Sequence, residues 1–118
     1  MAHTVLIVDD HPSFRASARA MLEAGGFEVV GEAEDGAGAL DRVAHLDPDV
    51  LLLDVQLPDM SGFEVCETLK SENGSTPLVV LVSSRDECEY GDLVAASGAC
   101  GFVPKDELSG EAVAALLP

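Results

Sequence analysis

Asp9 and Asp10 follow the apolar run 4–8, Asp54 closes the run 50–53, Ser83 follows 78–82, and Lys105 follows 101–104. Each of these polar side chains stands where a buried strand would meet solvent. Three carboxylates brought close together repel one another, and a hard divalent cation relieves that repulsion through oxygen coordination. Mg2+ suits such a set because it keeps several waters and binds through one or two carboxylates together with a phosphate. A carboxylate nucleophile, a metal and a fixed ammonium describe phosphoryl transfer to an acyl oxygen. On this reading Asp54 is the nucleophile. Asp10 and Asp54 are direct metal ligands, Asp9 positions metal-bound water, and the Gln56 backbone carbonyl completes the protein's share. Lys105 pairs with the phosphoryl oxygens as a point charge, and Ser83 donates a hydrogen bond once the phosphoryl is present. A lone strand-end acid is equally a helix cap or a solvated turn residue, so the argument rests on the whole set.

Such a set requires a frame that brings the ends of several strands to one rim. The run Val50-Leu51-Leu52-Leu53 is apolar at every position, as in a strand buried on both faces of a helix-covered parallel sheet. Residues 4–8 and 78–82 read the same way. The segment 28–33 is shorter and more polar and reads as an edge strand, while 101–104 is a short last strand. Between them, Pro12 opens a helix with an inner stripe of Phe14, Ala18, Met21 and Leu22, ended by Gly25-Gly26. Asp35-Gly36 starts a second, with Ala37, Leu40, Val43 and Ala44 on one face before Asp47-Pro48. Ser61 and Glu64 form a capping box for a third helix over 61–71, burying Phe63, Cys66 and Leu69 and stopped by Asn73-Gly74. A fourth helix is expected over 86–97, and Gly91 in its interior, costing roughly 1 kcal/mol against Ala, makes it the least stable. The last, from Ser109 to about Leu117, depends on packing Val113, Leu116 and Leu117.

Strands alternating with helices through short connections specify an α/β parallel sheet with right-handed crossovers. Ligands of such sheets bind outside the carboxyl ends of the strands at a switch point. Of the two common orders, 2-1-3-4-5 alone makes the first and third strands neighbours, bringing Asp9, Asp10 and Asp54 together. It also sends the second strand, which carries no site residue, to the edge.

At 118 residues the chain is one domain, and its 47% apolar content is that of a folding, globular sequence. A formal charge of −16 repels phosphate backbones and anionic lipid, so direct nucleic-acid binding by this segment and membrane association are excluded. Three cysteines without CxxC spacing read as reduced, partly buried thiols, which suits the cytoplasm. No apolar run approaches a membrane span and the amino terminus has no signal-peptide pattern. His3, His11 and His45 lack metal-ligand spacing and read as solvent-facing or structural, with His11, beside the acid pair, the one to examine.

Val8-Asp9-Asp10, Leu53-Asp54-Val55-Gln56-Leu57-Pro58 followed by Gly62, Val82-Ser83-Ser84 and Gly101-Phe102-Val103-Pro104-Lys105 occur in an order and spacing that together are highly specific. In them the chain resembles, over essentially its whole length (1–118), the receiver domain of bacterial two-component response regulators. The resemblance implies a flavodoxin-like (βα)5 fold and Mg2+-dependent phosphotransfer to Asp54 from the phosphohistidine of a sensor histidine kinase. It makes the domain a phosphoacceptor that assists its own phosphorylation and dephosphorylation, not an enzyme. It also assigns Ser83 as the switch hydroxyl and Phe102 as the switch aromatic. Output is expected through the fourth helix, fifth strand and fifth helix, with a homodimer through that face or through the first and fifth helices. Gln56 and Arg85 stand at positions that tune phosphoryl lifetime in this family.

One departure from the family pattern is that Asp106, not Pro, follows Lys105. That form resembles the NarL/FixJ branch, whose members attach a DNA-binding helix-turn-helix, and it puts a cis peptide after Lys105 in doubt because a non-Pro cis bond costs about 2.5–4 kcal/mol. Nothing follows Pro118 in this sequence, so the chain reads as a natural single-domain receiver or as the receiver of a longer protein with a DNA-binding output domain. Rival readings are weaker. Aspartate-nucleophile phosphatases resemble Asp-x-Asp after the first strand, whereas His11 and Pro12 stand at the required places here. A dinucleotide module lacks GxGxxG. A degenerate receiver serving only as a binding module is disfavoured by the complete set Asp9, Asp10, Asp54, Ser83 and Lys105.

Overall fold

The computed structural model describes residues 3–71 and 77–118. Five parallel strands, β1 (Thr4–Val8), β2 (Glu28–Ala33), β3 (Val50–Asp54), β4 (Leu78–Ser83) and β5 (Gly101–Pro104), pair in the order β2-β1-β3-β4-β5. Helices α1 (Pro12–Ala24), α2 (Gly36–Leu46), α3 (Gly62–Ser71) and α4 (Leu93–Ala96) connect them, and α5 (Gly110–Leu116) follows β5. The expected flavodoxin-like frame is therefore present, with β2 at the edge.

Side chains alternate across a strand, so the uninterrupted apolar runs of β1, β3 and β4 feed two cores. Leu6, Val8, Leu51, Leu53, Val79 and Leu81 pack beneath α2, α3 and α4, with Val43, Val65, Cys66, Leu69 and Val94. Val5, Ile7, Val50, Leu52, Val80 and Val82 face α1 and α5, with Ala18, Leu22 and Val113. Among the described residues no helix is long and apolar enough to cross a membrane.

Several details differ from the sequence expectation. The buried stripe of α2 is Gly36, Ala39 and Val43, with Ala37 and Ala44 exposed and Leu40 only partly covered. Val65 joins Cys66 and Leu69 as the buried face of α3, where Phe63 is only half-buried. Asn73-Gly74, the expected stop of α3, lies outside the described residues. The Ser61 hydroxyl accepts the Glu64 N–H at 3.2 Å, the expected forward half of the capping box. In place of one helix over 86–97 the chain forms a 3-10 turn at Glu87–Tyr90, a break at Gly91 (φ +58°), and the single-turn α4. The physical reason is the Gly91 conformation, which no right-handed helix accommodates. All three thiols are free, but Cys88 is exposed on that turn, Cys100 is half-buried and only Cys66 is buried, burial pushing its thiol up to about 11. The described peptide bonds are all trans, the one after Lys105 included.

The loop after β3 is bound tightly to its surroundings. Asp59 accepts the N–H groups of Gly36 (2.8 Å) and Ala37 (3.0 Å), capping α2 from outside its own sequence while Asp35 accepts Gly38 N–H at 2.7 Å. Gly62 donates its N–H to the Val55 carbonyl at 2.7 Å. A Cβ at Gly62 would lie 2.6 Å from the Asp54 carbonyl oxygen and 3.0 Å from Val55 Cα, both backbone atoms that cannot turn aside. The start of α3 thus fixes the carboxyl end of β3. Gly62→Ala is expected to lower the urea-unfolding free energy by about 1–3 kcal/mol at unchanged denaturant slope; parental stability would show that α3 can retreat from the strand.

Candidate functional site

Parallel pairing of β1 and β3 sets Val8 opposite Leu53, which carries the next residues, Asp9 and Asp54, to the same rim. Asp9 is fully buried and Asp54 is 2% exposed, whereas Asp10 points outward. Asp9 remains in the sheet, donating its N–H to the Ala33 carbonyl of β2 at 3.0 Å. From the next turn, Arg15 of α1 donates to the Asp9 carbonyl at 2.6 Å and pairs with Glu32 at 3.0 Å, with Arg19 on the same carboxylate at 2.9 Å. The end of β1 is thereby held by an arginine that the sequence pattern did not single out.

Lys105, first residue of a 3-10 turn at Lys105–Glu107, reaches across from β5. Its Nζ lies 2.5 Å from Asp9 Oδ2 and 3.3 Å from Asp54 Oδ2, and 4.5 Å from the centroid of the Phe14 ring. Burial alone would lower the ammonium pKa, but the Asp9 carboxylate in contact with it and the charge of Asp54 outweigh burial and raise it. Phe14 was expected only as a helix-stripe residue. It forms the apolar wall of the cation.

Burial pushes the Asp54 carboxyl up to about 6, with the charge of Asp9 adding to the rise; the Gln56 N–H, donating to Oδ1 at 3.1 Å, and Lys105 act against it. His11 precedes α1, and its backbone N–H donates to Asp9 Oδ1 at 2.8 Å. Its Nδ1 stands 2.9 Å from that oxygen and 3.1 Å from Asp10 Oδ1, while the side chain stays 63% exposed. His11 is solvent-facing as expected, yet it belongs to the acid cluster. Adjacency to Asp9-Asp10 was the available signal.

Asp9, Asp10, His11 and Asp54 each offer a ligand atom, all within 4.8 Å of one another. Asp9 Oδ2 is buried and meets the Lys105 ammonium without an aligned hydrogen bond, so part of its acceptor capacity is left over. Hard oxygens dominate this donor set and one buried oxygen is under-satisfied, which fits a divalent cation of the Mg2+ type. Gln56, expected to add its carbonyl, contributes its N–H to Asp54 in the contacts seen here.

Ser83 is brought to the same rim, one residue beyond Val82, which pairs with Asp54. Its Oγ lies 2.5 Å from the Tyr90 hydroxyl and accepts the Arg85 N–H at 3.1 Å. Among the described residues it makes no hydrogen bond to Asp54 or Lys105. Half-buried Phe102 stands with its ring 5.9 Å from that of Tyr90, and Phe63 lies 5.6 Å from Tyr90 on another side. Tyr90 belongs to no motif of the sequence. The signal was its place as the sole aromatic in the polar stretch 84–92.

The raised Asp54 carboxyl carries a sign for stability. Without metal, the folded chain retains this proton between about pH 4 and 6 where the unfolded chain releases it, so the contribution is full below about pH 4 and lost as pH rises through about 6. Asp54→Asn is expected to flatten that fall and to exceed the parent in stability at pH 7 by about 1–2 kcal/mol in urea unfolding with EDTA. Parallel profiles for the two proteins would contradict the assignment.

The model of the response regulator receiver domain matches residues 5–117. The chain is 36% identical over 111 residues to the DNA-binding transcriptional activator EvgA of Escherichia coli, covering 94% of this chain and 54% of that protein. It is 44% identical over 115 residues to the NarL transcriptional regulatory protein of Mycobacterium tuberculosis, covering 96% and 52%. The chain therefore spans about half the length of these relatives. Among solved structures, the NarL signal receiver domain from Mycobacterium tuberculosis superposes with a TM-score of 0.87 at 36% identity, covering 97% of this chain and 94% of that one. The chemotaxis response regulator CheY4 of Vibrio cholerae superposes at 0.85 and 27% identity, covering 99% and 100%. With the acid cluster, the lysine and the sheet order already in place, these matches show that the chain belongs to the response regulator receiver domain family.

Proposed function

We propose that this domain accepts a phosphoryl group on Asp54 from the phosphohistidine of a sensor histidine kinase, with Mg2+ held by Asp10, Asp54 and the Gln56 carbonyl and with Asp9 positioning metal-bound water. The observation that carries the reading is the single Lys105 ammonium shared by two buried carboxylates, Asp9 at 2.5 Å and Asp54 at 3.3 Å. A bound Mg2+ would neutralise charge at the carboxylates and on the incoming phosphoryl oxygens.

An Asp54 carboxylate oxygen attacks phosphorus, the new O–P bond forms as the P–N bond of the donor imidazole breaks, and the electron pair of that bond leaves with the imidazole. The Gln56 N–H on Oδ1 and the Lys105 ammonium on Oδ2 hold the carboxylate in place. As phosphoryl charge arrives, Lys105 turns from Asp54 to the phosphoryl oxygens, and Ser83 becomes a donor to the same group. Burial excludes bulk water around Asp54 and favours group transfer over immediate hydrolysis.

Output then passes through α4, β5 and α5, the elements that follow Ser83 and include Phe102 on β5. One charge-assisted hydrogen bond contributes roughly 1.5–3 kcal/mol, below the roughly 5.5 needed to drive a 1:99 equilibrium to 99:1. Phosphorylation therefore biases a region already weakly held. A DNA-binding output domain in a longer chain agrees with the transcriptional relatives and with the acidity of this segment.

Incubation with Mg2+ and a small phosphodonor is expected to add one phosphoryl group by intact mass, lost in Asp54→Asn and when EDTA precedes the donor. An adduct that persists in Asp54→Asn would move the acceptor elsewhere. If neither a phosphodonor nor beryllofluoride forms an adduct, the domain is a phosphorylation-independent binding module.

A further inference from the structure

We propose that Tyr90 is a positioning residue for Ser83: its phenol holds the Ser83 hydroxyl off the acidic centre until a phosphoryl group on Asp54 claims that hydroxyl. This rests on the phosphoacceptor reading above and adds to it a specific latch.

A serine hydroxyl has one O–H and two lone pairs. The Arg85 N–H occupies one lone pair at 3.1 Å, and the Tyr90 hydroxyl at 2.5 Å takes either the O–H or the other lone pair. Ser83 is fully buried, so water does not compete for the remainder. Donation to a phosphoryl on the neighbouring strand therefore requires Ser83 to turn to another rotamer well and to give up Tyr90.

Tyr90 is built to be displaced as a unit with its surroundings. Its ring lies edge-on to Phe63 of α3 (5.6 Å, 69°) and tilted against Phe102 of β5 (5.9 Å, 53°), so it joins three elements through one side chain. The backbone carrying it is the turn Glu87–Tyr90, whose residues 87–89 are exposed and which ends at Gly91, where a Cβ would meet nothing within 4 Å. Beyond it α4 has a single turn. Asp86, Glu87, Glu89 and Asp92 crowd this stretch with negative charge, so a new phosphoryl dianion on the adjacent strand repels the turn in the same direction as the loss of the hydroxyl contact. Phe102 loses its ring neighbour in that movement. Tyr90 thus links the state of Ser83 to the aromatic on β5.

The chain has one tyrosine and no tryptophan, so its intrinsic fluorescence reports Tyr90 alone. Beryllofluoride with Mg2+ is the probe, with adduct formation followed by fluorine NMR and phenol exposure by acrylamide quenching of the full chain. Quenching is expected to rise as the adduct forms. Tyr90→Phe, which keeps the ring, is expected to speed phosphorylation by a small phosphodonor about three- to tenfold, the equivalent of one hydrogen bond. The same substitution in a Ser83→Ala background is expected to leave the rate unchanged, which a merely structural role would not produce. An adduct with unaltered quenching, or a Tyr90→Phe effect that is absent or persists without the Ser83 hydroxyl, overturns the latch and leaves the phosphoacceptor reading intact. Absence of any adduct overturns both.

Discussion

Two carboxylates buried on neighbouring strands under one ammonium group form the constraint on which this molecule depends. Burial, with the charge of Asp9 beside it, disfavours the ionised form of Asp54, and the Gln56 N–H and Lys105 offset only part of that penalty. A buried ion cluster of this kind is weak evidence for stability. It marks a candidate functional site, because carboxylates perturbed by burial beside a specific charge partner gather where chemistry is done.

The rest of the fold keeps these groups in register. Parallel pairing of β1 with β3 fixes the acid pair, and Arg15, itself anchored by Glu32, holds the backbone where β1 ends. Gly62 permits α3 to abut the Asp54 carbonyl, and Asp59 ties the same loop to α2. Lys105 is delivered from the far side of the sheet by β5, with Phe14 of α1 as its apolar wall. A displacement at the rim would disturb a backbone contact or leave a buried charge unpaired.

Against that rigid half, the segment from Ser84 to Ala96 is held lightly. It has a short turn, a left-handed glycine and a single-turn helix in place of one continuous helix. Its main attachment to the site is the Ser83–Tyr90 contact within the Phe63, Tyr90 and Phe102 cluster. Rigidity at the acids and looseness after β4 suit a domain in which added charge at one place shifts an equilibrium at another.

Sequence by itself determined the five strands, their order and the strand-end residues Asp9, Asp10, Asp54, Ser83 and Lys105, because uninterrupted apolar runs are local signals and the sheet order followed from bringing the acids together. It also marked 86–97 as the weakest helix from one glycine. Tertiary structure alone decided that Gly91 would break that helix, that Ala39 and not Ala37 would face the core, and that Phe14, Arg15 and Tyr90 would border the site. Phe14 meets Lys105 from the other end of the chain, and Arg15 and Tyr90 turn back onto Asp9 and Ser83 across a loop, so these side-chain directions depend on helix rotation and loop path. Periodicity records which face of a segment is apolar; it carries no information about which partner a polar tip or an aromatic edge will meet.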